Sequence, residues 1–133
     1  MPFQLNSQLA DGGHDLGKHG ICRILLKNNA IFPWFILVPE VDESITELHE
    51  LRQSDYMSVC ASIRRISRFA DSHFQSEKIN VASLGNIVRQ MHIHIVARTE
   101  SDPAWPGVVW GYSESRLYPD ADVAAIREAY QKF

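Results

Sequence analysis

The sequence predicts an α+β domain built on an antiparallel sheet. Short apolar runs bounded by turn residues come in two adjacent pairs, one long amphipathic helix separates the pairs, and a second amphipathic helix closes the chain. A chain of 133 residues is long enough for one core and needs no second. The whole of residues 1–133 is therefore read as a single domain.

The first twenty residues carry Gly12, Gly13, Gly17 and Gly20 and read as a loop-rich lead-in with one short helix near Asn6 to Ala10. Residues 21–26 and 35–38 are apolar and bounded by Lys27-Asn28-Asn29 and by Pro33 and Pro39, which makes them an antiparallel strand pair. Ser44-Ile45-Thr46-Glu47 has the form of a capping box opening a short helix to about Leu51. Ser54 is placed to cap the long helix, where Tyr56, Val59, Cys60, Ile63, Ile66, Ala70 and Phe74 keep the spacing of one apolar face. Arg64, Arg65 and Arg68 fall on its other side, a solvated basic face. Residues 79–84 and 90–96 read as the second strand pair around Gly85-Asn86. Residues 102–107 break regular structure, and Val123, Ile126, Tyr130 and Phe133 mark a last helix over about 119–132.

Composition narrows the function. A net charge of −3 supplies no basic field for a nucleic-acid polymer. No segment approaches a membrane span and the first residues lack a leader's basic and apolar regions. Cys22 and Cys60 both read as small buried hydrophobes, which suits a reducing compartment, so the cytoplasm is expected.

The chemistry concentrates in Gln90-Met91-His92-Ile93-His94-Ile95-Val96. Strict strand alternation puts Gln90, His92 and His94 on one face and Met91, Ile93 and Ile95 on the other, in the core. Two imidazoles two residues apart have Cβ atoms roughly 6–7 Å apart, close enough to grip one phosphate or one metal. Zinc needs a third protein ligand. None lies near His92 in sequence, and His14, Asp15 or His19 would serve only if the N-terminal loop folded over the sheet. No metal or cofactor is expected. His49 and His73 read as surface imidazoles. Trp105 and Trp110, in an irregular segment, read as packing residues or as a base-stacking platform.

The strand resembles the signature of the histidine triad (HIT) family, His-φ-His-φ-His-φ-φ with φ apolar, with Gln90 in place of the first His. The likeness extends to Pro33-Trp34-Phe35-Ile36-Leu37-Val38-Pro39, to Asn80 with Gly85-Asn86, and to Trp105-Pro106-Gly107, and covers roughly residues 21–110 in order. It implies a five-stranded antiparallel sheet with one long helix, usually paired as a homodimer. It implies a nucleotide substrate attacked at the α-phosphorus by the middle histidine, here His92, with a nucleotidyl-histidine intermediate. His94 would stabilise the phosphate oxygens, and Asn80, Gly85 and Asn86 would flank them. Asn29 lies near the ribose-binding position of many members; a turn asparagine accounts for it equally.

Two departures bear on the chemistry: Gln90, and Trp34 where the family often has a further His. If they meet in space, an amide and an indole replace a proton-handling pair, and neither can shuttle a proton. The expected substrates are then phosphoanhydrides, whose leaving group departs already ionised. Restoring His at position 90 is expected to raise amidate hydrolysis. A nucleotide-binding module without turnover is the alternative, and a metal-binding protein a further one.

Overall fold

Apolar side chains on both faces of the central strands dictate a sheet covered on both sides. In the computed structural model, which describes residues 2–133, the strands are β1 (Gly13–His19), β2 (Cys22–Lys27), β3 (Trp34–Pro39), β4 (Lys78–Ser83) and β5 (Ile93–Arg98). They form one antiparallel sheet in the order β1-β2-β3-β5-β4. Helices α1 (Ser7–Asp11), α2 (Gln53–Phe74) and α3 (Asp120–Gln131) and one 3₁₀ turn at Leu48–Glu50 complete it. The architecture is the predicted α+β one.

Alternation sorts the strands. Ile24, Leu26, Phe35, Leu37, Ile93 and Ile95 point to one face, which α2 covers with Val59, Ile66, Phe69 and Ala70. Leu25, Trp34, Ile36, Val38 and Val96 point to the other, against Leu9, Phe32 and Val109. Each such side chain contributes about 1.5–3 kcal/mol when fully buried. On the second face the register lines up Leu25, Ile36, His94 and Ala82 across four strands, which seats His94 in the middle of the sheet. No helix among the described residues is long and apolar enough to cross a membrane.

Several expectations change. The glycine-rich lead-in holds β1, an edge strand with one buried side chain, Leu16. Gly17, at φ 96°, lies within the register shift between Asp15 and Lys18. Gly20 makes the turn into β2 at φ 57°, where a Cβ would stand 2.6 Å from Ser58 Oγ. Ser44 bonds back to Asp42, and it is the Glu50 carboxylate that accepts from the Thr46 and Glu47 N–H groups. The long helix starts at Gln53 after Arg52, so Ser54 lies inside it. Its buried face runs through Val59, Ser62, Ile66, Phe69 and Ala70, one position round from the expected stripe, which leaves Cys60 exposed while Cys22 is buried. Asn6 caps α1, its side chain accepting from the Gln8 N–H.

Candidate active site

Strand geometry begins at Ile93, so the alternation that places His94 on the second face reaches His92 but not Gln90. The two imidazoles lie with ring centroids 4.9 Å apart, 6% and 7% exposed. Each Nδ1 has a partner that fixes its proton. His92 Nδ1 is 2.7 Å from the Gln90 main-chain carbonyl, which only accepts, so Nδ1 carries the hydrogen and the neutral ring has a bare lone pair on Nε2. His94 Nδ1 is 3.0 Å from Trp34 Nε1, which only donates, so the neutral His94 ring carries its hydrogen on Nε2. Burial first, and then the charges of His92 and Lys27, push His94 down to about 4, so it is neutral at pH 7. One ring thus offers a nucleophilic nitrogen and the other an N–H donor.

Both rings line a cavity of about 590 Å³. Trp34 and Trp110 wall it beside His94, with ring centroids 5.7 and 5.5 Å from the imidazole. Gly85 and Asn86, from the loop before β5, line it as well, and Gly85 is held at φ 72°. The segment 109–115, which carries Trp110, supplies a further stretch of the wall. It is anchored at the end of β2, where Asn28 Oδ1 accepts from Tyr118 N–H at 2.9 Å and Ala30 N–H donates to the Arg116 carbonyl at 2.6 Å. Lys27 lines the cavity too, its ammonium 4.9 Å from the Trp34 ring centroid. In the sequence Lys27 reads only as a strand boundary. The signal was its parity, because alternation puts it on the same face as Leu25 and so on the face of His94.

Other candidates fall elsewhere. The Gln90 carboxamide accepts from Asn6 N–H at 2.8 Å and donates to the Gln4 carbonyl at 2.9 Å, tying down the N-terminal segment. It does not line the cavity and does not meet Trp34, whose partner is His94. The expected amide–indole pair is thus absent from the cavity, because Gln90 precedes β5. Asn29 lines the cavity, but its Oδ1 already accepts from Ile31 and Arg116 N–H groups, at 3.1 and 3.4 Å. Asn80 lies outside it, its Oδ1 accepting from Arg98 at 2.8 Å. Arg98, 2% exposed, also grips Asp102 through two nitrogens and the Gly107 carbonyl, with the Trp105 ring 5.7 Å from its guanidinium carbon. Trp105 therefore packs on Arg98 rather than lining the cavity, and Trp110 takes the place beside the histidines.

His14 and His19 sit on β1, paired with Leu26 and Cys22 of the α2-facing side, and His19 Nδ1 contacts Ser62 of α2 at 2.8 Å. Asp15 pairs with Arg23 at 3.0 Å. The β1 residues thus do not join His92 and His94. Among the described residues no three His, Cys, Asp or Glu side chains are grouped to hold one ion.

Comparison with known proteins agrees with this architecture. A histidine triad protein from Marinobacter aquaeolei VT8 is 37% identical, with 99% of this chain and 96% of that one covered and a TM-score of 0.94. One from Sinorhizobium meliloti 1021 is 35% identical over 98% and 96%, with a TM-score of 0.94. One from Bradyrhizobium japonicum is 30% identical over 99% and 98%, with a TM-score of 0.95. A search of curated protein sequences finds no match. The HIT domain itself matches residues 14–101, a span that holds both cavity histidines and all of the five-stranded sheet but the first residue of β1, and the chain belongs to the HIT domain family.

Proposed function

We propose that the protein is a nucleotide-binding hydrolase or nucleotidyl transferase acting at the α-phosphate of a nucleoside phosphoanhydride. His92 Nε2 attacks the α-phosphorus and expels the phosphate-bearing leaving group already ionised. Water or another acceptor then releases the nucleotidyl group from His92. The His94 Nε2–H donates to a non-bridging oxygen as charge builds on it, in a desolvated site where such a bond is strong. Gly85 and Asn86 flank the phosphate, and the cavity between Trp110 and the 84–88 loop takes the nucleoside.

The observation that carries this reading is the pair of opposed tautomers, held by the Gln90 carbonyl and the Trp34 indole. A nucleophile beside an N–H donor is what attack on a phosphorus needs. The test is rapid quench with a dinucleoside polyphosphate and intact-mass detection of a nucleotidyl adduct. His92→Ala is expected to abolish adduct and turnover while leaving nucleotide affinity within about tenfold, since a nucleophile acts mainly in the transition state. Retained turnover in His92→Ala refutes the assignment.

A further inference from the structure

We infer that Lys27 makes the cavity selective for ligands bearing a second phosphate besides the one at the histidines. The inference rests on the phosphate assignment of His92 and His94 made above and adds a separate point of recognition to it. Lys27 ends β2, one residue beyond the Leu26–Phe35 pair, and so stands across from Trp34. Its ammonium lies over the indole, 4.9 Å from the ring centroid, whereas His94 meets the same indole at its Nε1–H edge. One tryptophan separates the two donors, so they address different points of a bound ligand.

The ammonium also lacks an anion. Lys27 is the one Lys or Arg lining the cavity, and among the described residues no carboxylate comes within 4 Å of it. The cavity's one carboxylate, Glu114, accepts from the Tyr112 hydroxyl at 3.2 Å. A half-buried cation without a counter-ion has lost hydration that the indole face replaces only in part. Burial holds the Lys27 ammonium below the usual lysine range, in accord with that loss. A phosphate oxygen entering the cavity would restore it. Two sources share this chemistry, the next phosphate along a 5′-chain and a phosphate on the sugar.

The experiment is calorimetric titration of wild type, Lys27→Gln and Lys27→Arg with AMP, ADP in the form of its non-hydrolysable α,β-methylene analogue, and adenosine 3′,5′-bisphosphate. Wild type is expected to bind ADP or the bisphosphate about tenfold tighter than AMP, one charge-assisted contact's worth. Lys27→Gln should erase that advantage while AMP affinity shifts by less than about threefold, and Lys27→Arg should keep most of it. A preference for ADP assigns the second phosphate to the chain, and a preference for the bisphosphate assigns it to the sugar. Equal binding of all three by wild type overturns the inference, as does a Lys27→Gln loss that falls equally on AMP. His94→Ala separates this from the underlying reading. It should weaken all three ligands together, and if it spares them while the Lys27 advantage persists, the histidine assignment fails instead.

Discussion

Protonation of His94 tests the tautomer argument directly. The second proton of an imidazolium would have to go on Nδ1, where Trp34 Nε1–H already points from 3.0 Å. Burial, His92 and Lys27 oppose the same charge, and together they lower the group from 6.5 to about 4. That interval corresponds to about 3 kcal/mol in favour of the neutral ring. The folded pKa is depressed, so the unfolded chain takes the proton first as pH falls. The stabilising contribution is complete above pH 6.5 and is lost between there and about 4. Trp34→Phe removes the donor but leaves the burial, so the His94 pKa should rise by about one unit, the equivalent of one hydrogen bond. The assay is an NMR titration of the His94 ring in both proteins, with urea denaturation at pH 7, 5 and 4. A wild-type His94 that titrates at 6.5 or above refutes the reasoning, as does one that Trp34→Phe leaves unchanged.

Other expected outcomes follow from the same contacts. Arg98→Leu strands the Asp102 carboxylate in a buried site and should cost about 3–5 kcal/mol, read from the urea midpoint; a loss below about 1 kcal/mol would contradict the buried-pair account. Gln90→Ala should raise amide hydrogen exchange around residues 4–10 and leave turnover within about threefold, since its two bonds hold the N-terminal segment; a hundredfold loss, the size expected for an acid–base group, would place the carboxamide in the chemistry after all. Light scattering at micromolar concentration should give a homodimer, with the edge strand β4, its exposed Val81 and the adjoining Leu84 as the contact; a monomer mass would exclude it.

The parts of the fold legible in the sequence are those whose apolar residues are either contiguous or periodic. β2 and β3 announce themselves as unbroken apolar runs between turn residues, and α2 and α3 by apolar residues at the helix period. β1 does not. Its only buried side chain is Leu16, and the glycines that suggest a loop are what let an edge strand bulge and turn. The face of α2 came out one position round because Ser62, fully buried, spends its hydroxyl on the His19 carbonyl and looks polar in sequence, whereas Cys60 looks apolar and lies in solvent. The trade of Ser for Cys is invisible until the hydrogen bond is seen.

The site divides along a similar line. Alternation was enough to place His92 and His94 together, because both belong to the run that continues into a fully buried central strand. It failed at Gln90, where the backbone has left the sheet. That failure changes the meaning of the residue. What meets His92 from position 90 is the main-chain carbonyl, which almost any residue would supply, while the carboxamide is directed at Gln4 and Asn6. The glutamine therefore takes no proton-carrying group away from the cavity. The titratable side chains there are those of His92, His94, Lys27, Tyr112 and Glu114, with Trp34 deciding where the His94 proton sits. A sequence motif counts side chains, but the tautomer of His92 depends on a carbonyl that no motif records. The chemistry of the strand is for that reason better judged from Trp34 and Lys27, one and two strands away in the sheet and some sixty residues away in sequence, than from the residue that interrupts the triad.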